Sequence, residues 1–205
     1  MTVEAFALLV PVKALSTAKT RLALDGDRTR RLMRAFALDS VTAAAQSPLV
    51  AGVYVVSSEP DLELPGVTVL PDEGAGDLNG ALAAAARRVQ ASRPGLGLAA
   101  LCADLPCLVE PDLTAALSAA TAARWFVADA EGSGTTLLAA VAGHDLEPCF
   151  GPGSAARHAA TGAVPLRDGV PTVRLDVDTT ADLDAAVALG VGPHTAAALS
   201  LCAGG

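Results

Sequence analysis

Asp104 closes the apolar run Leu98-Ala99-Ala100-Leu101-Cys102-Ala103, and Pro106 follows two positions later. Small apolar residues in an unbroken run read as a strand buried on both faces, and the proline stops its ladder. Asp104 is therefore expected at the C-terminal edge of a sheet strand, where open α/β sheets bind ligands. A carboxylate held there needs a positive partner. A divalent cation carrying a phosphorylated ligand would supply one. Capping the next helix is the structural alternative, but that helix starts near Pro111, too far downstream. A second acidic pair lies in Val173-Arg174-Leu175-Asp176-Val177-Asp178. Read as a strand, this segment puts Asp176 and Asp178 on one face, about 7 Å apart. With Asp104 they make a candidate site for one or two Mg²⁺ ions. Asp176 is the stronger ligand candidate, because Asp178 has a rival role in capping the following helix.

The positive charge is as localised as the negative. Of the 14 Lys and Arg residues, seven (Lys13, Lys19, Arg21, Arg28, Arg30, Arg31 and Arg34) crowd into one N-terminal segment, which holds both lysines of the chain. Lys13, Lys19 and Arg21 follow the first predicted strand, where backbone N–H groups and a helix N-terminus favour a polyphosphate. The four later arginines read as a solvated helix face. Neither GxxxxGK[ST] nor GxGxxG is present, so this is not a P-loop or a dinucleotide fingerprint. Gly132-Ser133-Gly134-Thr135 and Gly151-Pro152-Gly153-Ser154 each combine exposed backbone with a hydroxyl, which suits a small phosphorylated anion; Ser154 also has a helix-capping alternative. The histidines at 144, 158 and 194 lack any ligand spacing and read as surface or hydrogen-bonding residues. A missing general base is no obstacle if the nucleophile is itself a phosphate, whose second pKa near ~6 leaves it ionised at neutral pH. Metal and positioning then suffice.

The elements needed to place these groups are legible in outline. Strands are expected at 5–10, 53–56, 67–70, 98–104, 125–128 and 173–178, with a further apolar run at 137–141. Helices are expected at about 28–46, 78–91, 111–123 and 181–189, plus a short one containing Arg157 and His158. Thr179 and Thr180 offer the last long helix an N-cap, and Gly190 closes it. This alternation predicts a three-layer α/β/α sandwich on a mostly parallel sheet, with residues 1–205 forming a single domain.

Composition narrows the function classes. With 52% hydrophobic but only 3% aromatic residues, the core must be built from Ala, Val and Leu. A formal net charge of −8 argues against a general nucleic-acid or membrane binder. Cys102, Cys107, Cys149 and Cys202 contain no CxxC pair and read as reduced packing residues. The start Met1-Thr2-Val3-Glu4 lacks the basic region of a secretory leader, and no run reaches the ~18 apolar residues of a membrane helix. A cytoplasmic protein is expected.

Seven motifs occur in order: Val10-Pro11-Val12-Lys13, Ala18-Lys19-Thr20-Arg21-Leu22, Asp77-Leu78-Asn79, Ala103-Asp104-Leu105-Pro106, Gly134-Thr135, Phe150-Gly151-Pro152-Gly153-Ser154 with Arg157-His158, and Asp176-Val177-Asp178-Thr179. In this set the chain resembles the phosphoenolpyruvate or 2-phospho-L-lactate guanylyltransferases of coenzyme F-420 biosynthesis, a family with the nucleotidyltransferase (GT-A-like) fold. The likeness runs from about Phe6 to Pro193, and the alanine- and arginine-rich composition resembles actinobacterial members, which implies phosphoenolpyruvate as acceptor. The resemblance implies that Asp104 and Asp176 bind Mg²⁺, that Thr135, Gly151 and Ser154 hold the acceptor, and that Lys13, Lys19 and Arg21 grip the GTP phosphates. The segment around Asn79 would help place the guanosine. GTP and phosphoenolpyruvate are then the partners of a monomer or homodimer, with 2-phospho-L-lactate or 3-phospho-D-glycerate as alternative acceptors. Molybdenum-cofactor and sugar-phosphate nucleotidyltransferases usually carry Arg-Met-Gly after the first strand, which is absent here. A non-catalytic nucleotide-binding module would be expected to lack one of the two carboxylates.

Overall fold

The computed structural model describes residues 5–12, 26–59, 64–119, 122–167 and 169–203. Strand β1 (Phe6–Pro11) is buried along its length except at Pro11. Its apolar run is covered on both faces, as a central parallel strand must be. Phe6, Leu8 and Val10 face a layer containing helix α1 (Gly26–Gln46), whereas Ala7 and Leu9 face helix α2 (Leu78–Ser92). Beside β1 lie β2 (Val50–Ser57) and β4 (Gly97–Leu101), with β3 (Thr68–Pro71) at the near edge. Beyond β4 come β6 (Thr135–Ala140), β5 (Arg124–Ala128) and β7 (Val164–Leu166), giving the order β3-β2-β1-β4-β6-β5-β7. Helix α3 (Glu110–Ser118) joins α1 on one face, and helix α4 (Ser154–Ala160) lies near the α2 face, completing a three-layer α/β/α sandwich.

Strand β6 runs antiparallel to both its neighbours, while every other pair is parallel. The reason is length. Only the loop between Ala128 and Thr135 separates β5 from β6, too short for a parallel crossover. This reversal brings the start of β6 to the same edge as the end of β4, since Leu137 pairs with Leu101.

Three expectations are corrected. The strand ending at Asp104 stops at Leu101, so Asp104 sits in the loop beyond it. Helix α3 ends at Ser118 rather than near 123. The predicted strand at 173–178 does not exist. Pro171 instead starts the short helix α5 (Pro171–Arg174), whose Thr172 N–H and hydroxyl both donate to Asp112 Oδ2, at 3.0 and 2.8 Å. The following Val177 N–H then donates to Asp104 O at 3.0 Å, outside any sheet ladder. The sheet's last strand is β7, whose Pro165 is tolerated at an edge.

The C-terminal helices α6 (Thr180–Leu189) and α7 (Pro193–Ala203) complete the described chain. Thr179 and Asp182 form a reciprocal capping box on α6, so Thr179 rather than Asp178 is its cap. Asp39 on α1 accepts from His194 and Thr195 N–H, at 3.0 and 2.8 Å, and so caps α7. None of the described helices is long and apolar enough to cross a membrane.

One hydroxyl on α1 shapes the loop that carries Asp104. Ser40, fully buried, accepts from Leu105 N–H at 3.2 Å and donates toward Ala103 O and Leu105 O, each at 3.2 Å. Ser40→Ala leaves these buried groups without their partner, which costs ~1–3 kcal/mol. Chemical denaturation is expected to show that loss, with faster hydrogen exchange at the Leu105 amide. Exchange unchanged at Leu105 would show that the loop is held by other contacts.

Candidate active site

The carboxylates meet at the edge where β4 and β5 end. Val177 N–H, bonded to Asp104 O, places Asp176 beside the Asp104 loop. Arg174 ties the same segment to β5 by donating to Ala128 O at 3.2 Å, next to Asp129. Electrostatics confirms the convergence. Burial pushes the Asp176 carboxyl up to about 7, and repulsion from Asp104, Asp178 and then Asp129 adds to it, against one backbone hydrogen bond that pulls the other way. Each pKa unit is worth ~1.4 kcal/mol, so ionising this group in the folded chain costs more than a typical hydrogen bond contributes.

This is the environment a hard divalent cation relieves. The donors are carboxylate oxygens, they repel one another, and Asp104 Oδ1 is buried. Asp104 and Asp176 therefore fit Mg²⁺. Among the described residues no group of three or more His, Cys, Asp or Glu side chains could hold a metal ion together, so Asp178 does not complete a triad. The remaining ligands would be phosphate oxygens and water, the usual arrangement for Mg²⁺.

The two glycine loops are joined to each other and to this edge. Asp129 organises the first: its carboxylate accepts from Ser133 N–H at 2.9 Å and Gly134 N–H at 2.7 Å. A Cβ at 134 would come within 2.2 Å of Asp129 Oδ2, which explains the glycine. Ala155 N–H donates to Ser133 O at 3.2 Å, linking this loop to the start of α4. Gly153, with φ +70°, is the N-cap of α4, so Ser154 is its buried first residue rather than its cap. Cys102 N–H donates to Thr136 O at 2.8 Å, which sets the Asp104 loop beside Thr135. Thr135, Gly151 and Ser154 thus belong to one region adjoining the carboxylates.

Arg157 and His158, outside the predicted set, and Asn79, predicted for the guanosine, hold this region in shape. Arg157 donates from Nε and Nη2 to Cys149 O, at 3.1 and 2.9 Å, from Nη2 to Phe150 O at 3.1 Å, and from Nη1 to Pro152 O. Asn79, in the first turn of α2, accepts from Phe150 N–H at 2.7 Å and donates to Phe150 O at 3.1 Å. Its amide therefore clamps the loop beginning at Phe150 with both ends. His158 bonds Thr135 Oγ1 and Cys149 N–H, at 2.9 and 2.8 Å. Sequence reasoning missed these tethers, since a residue bonding backbone carries no spacing signature; only the proximity of Arg157 and His158 to Gly151 hinted at them. Central β1 is parallel to β4 and ends at Pro11 on this same edge. Lys13, Lys19 and Arg21 lie outside the described residues.

Residues 6–199 match the family described as Guanylyl transferase CofC like. The chain is 51% identical over 209 residues to a protein of Geodermatophilus obscurus named phosphoenolpyruvate guanylyltransferase, covering 96% of this chain and 95% of the relative. It is 53% identical over 199 residues to a protein of that name from Streptomyces avermitilis, covering 93% and 92%. Among solved structures it resembles a protein from Desulfovibrio desulfuricans G20 described as a nucleotide-diphospho-sugar transferase, with a TM-score of 0.64, 17% identity, and coverage of 90% and 96%. That last likeness concerns the fold alone.

The raised Asp176 carboxyl has a consequence for stability. Between its ordinary value of 3.8 and about 7, the folded chain keeps a proton that the unfolded chain has lost. Stability from this group is therefore complete below about pH 4 and declines as pH rises through about 7. Without divalent cation, the wild-type denaturation midpoint is expected to fall from pH 5 to pH 8 more than that of Asp176→Asn. Adding Mg²⁺ at pH 8 should restore the wild type only. Parallel pH curves for the two proteins would contradict the assignment.

Proposed function

Because the chain belongs to the CofC-like guanylyl transferase family, we propose that it transfers GMP from GTP to phosphoenolpyruvate, giving enolpyruvyl-diphospho-5'-guanosine and pyrophosphate for coenzyme F-420 biosynthesis. The observation that carries this reading is the meeting, at one sheet edge, of two repelling carboxylates and a glycine-and-hydroxyl cradle. The names of two relatives above 50% identity support the acceptor. An acceptor phosphate oxygen attacks the α-phosphorus of GTP in line; the α-phosphorus–oxygen bond to the β-phosphate breaks and pyrophosphate leaves. Mg²⁺ held by Asp104 and Asp176 would offset negative charge developing on the phosphate oxygens.

The chain's own residues do the rest. Thr135, Gly151 and Ser154 hold the acceptor by hydroxyl and backbone donors, while Lys13, Lys19 and Arg21 bind the GTP phosphates and stabilise the departing pyrophosphate. Asn79 belongs to the nucleotide side through its place at the start of α2 and fixes the acceptor loop through Phe150. It thereby joins the two substrate sites. Proton abstraction is not required, because the attacking phosphate is already ionised at neutral pH.

Pyrophosphate release from GTP and Mg²⁺ is the direct assay, with phosphoenolpyruvate, 2-phospho-L-lactate and 3-phospho-D-glycerate as separate acceptors and the next enzyme of the pathway coupled to draw off product. Phosphoenolpyruvate is expected to give the highest kcat/KM. Asp104→Ala and Asp176→Ala should each lower kcat by about 10²-fold or more, and Lys13→Ala or Lys19→Ala should raise the KM for GTP. Release that is acceptor-independent, or absent with all three acceptors, would overturn the reading.

A further inference from the structure

His158 on α4 is fully buried and lies between two aromatic rings, with centroid separations of 5.9 Å to Phe126 and 5.1 Å to Phe150. Its two ring nitrogens have partners of different kinds. Cys149 N–H points at Nε2 from 2.8 Å. A backbone amide can only donate, so Nε2 must present its lone pair, and the proton of the neutral ring sits on Nδ1. Nδ1 is 2.9 Å from Thr135 Oγ1. The ring therefore donates and the hydroxyl oxygen accepts. The opposite polarity would put a proton on Nε2 facing the Cys149 N–H, two buried donors with no acceptor between them.

A hydroxyl has one proton to give. Once its oxygen accepts from His158, the Thr135 proton is left for another acceptor. Phosphate and carboxylate oxygens, which only accept, are what the adjoining region was read as holding. We propose that His158 is a positioning residue that commits the Thr135 hydroxyl to donating a hydrogen bond to an anionic oxygen of the acceptor, and that its bond to Cys149 registers the acceptor loop against β6. This rests on the reading that Thr135 contacts the acceptor. Burial, followed by the charges of Arg157 and Arg124, pulls the imidazole down to about 4, so the ring stays neutral across the working pH range. Phe126, Phe150 and the Thr135 hydroxyl, which also face it, carry no charge at those pH values.

Nitrogen-15 NMR of the wild-type protein, with labelled histidine, reads the tautomer without needing turnover. The expected spectrum shows His158 protonated at Nδ1 alone and unchanged from pH 5.5 to 9. A proton on Nε2, or an imidazolium near pH 6, would overturn the proposal. His158→Gln keeps an acceptor within reach of Cys149 N–H but loses the donor to Thr135. It is expected to raise the acceptor KM roughly tenfold, ~1.4 kcal/mol, while leaving the GTP KM near its wild-type value. Thr135→Val should raise the acceptor KM as well, and the double variant should be no worse than Thr135→Val alone. Additive effects, or a parallel rise in the GTP KM, would reduce His158 to a packing residue. If no acceptor supports pyrophosphate release, the activity reading fails, and the spectrum still decides the tautomer.

Discussion

A single backbone hydrogen bond, Val177 N–H to Asp104 O, carries more of this site than any side chain does. It joins two loops more than seventy positions apart in sequence and forces their acidic side chains into one another's field. Burial deepens that repulsion, and Asp176 is left with its carboxyl raised to about 7. A protein selected only for stability would replace such a pair. Retaining it makes sense where substrate phosphates arrive with a divalent cation that balances the charge. Behind the bond stand neutral supports: Ser40 on the Asp104 loop, Gly192 N–H on Pro106 O at 2.8 Å, and the Cys107 thiol on Ala186 O at 3.1 Å.

The region of Thr135 and the loop from Phe150 to Ser154 is built on another principle. There the polar groups are satisfied in place: Arg157 gathers three carbonyls, Asn79 pairs with both backbone groups of Phe150, and His158 bridges Thr135 to Cys149. Such a loop has little freedom to lose when an anion docks, so the entropy of ordering it is already spent in folding. Strained carboxylates and a satisfied cradle sit side by side because β6 runs backwards between β4 and β5. A parallel β6 would begin at the far edge of the sheet and take Thr135 with it.

Much of this was legible in the sequence, and the failures have physical causes. Continuous apolar runs located β1, β2 and β5; helical periodicity located α1, an alanine-rich run broken by Pro94-Gly95 located α2, and a threonine N-cap with a closing Gly190 located α6. Apolar alternation misled at 173–178, where Val173, Leu175 and Val177 suggested a strand. The pattern could not reveal that Asp112 would cap a helical turn at Thr172, or that Val177 N–H would bond a loop instead of a ladder. The proximity of Asp104 and Asp176 was nevertheless expected, from strand-end logic for one and from alternation along the expected strand for the other. It survived the loss of the strand because the convergence depends on where the chain crosses the sheet edge, not on what conformation it has there. The tethers at Ser40, Arg157 and His158 were beyond reach, since each acts on backbone groups distant in sequence or hidden within a loop.

The proposed chemistry requires Asp176 to give up its proton when a cation binds beside Asp104. Calorimetric titration of the protein with Mg²⁺ in the presence of GTP, in buffers of different ionisation enthalpy, measures that proton directly. After subtraction of the same titration with Asp176→Asn, release approaching one proton is expected near pH 6, and it should vanish toward pH 9. No difference between the two proteins at pH 6 would contradict a cation shared by Asp104 and Asp176.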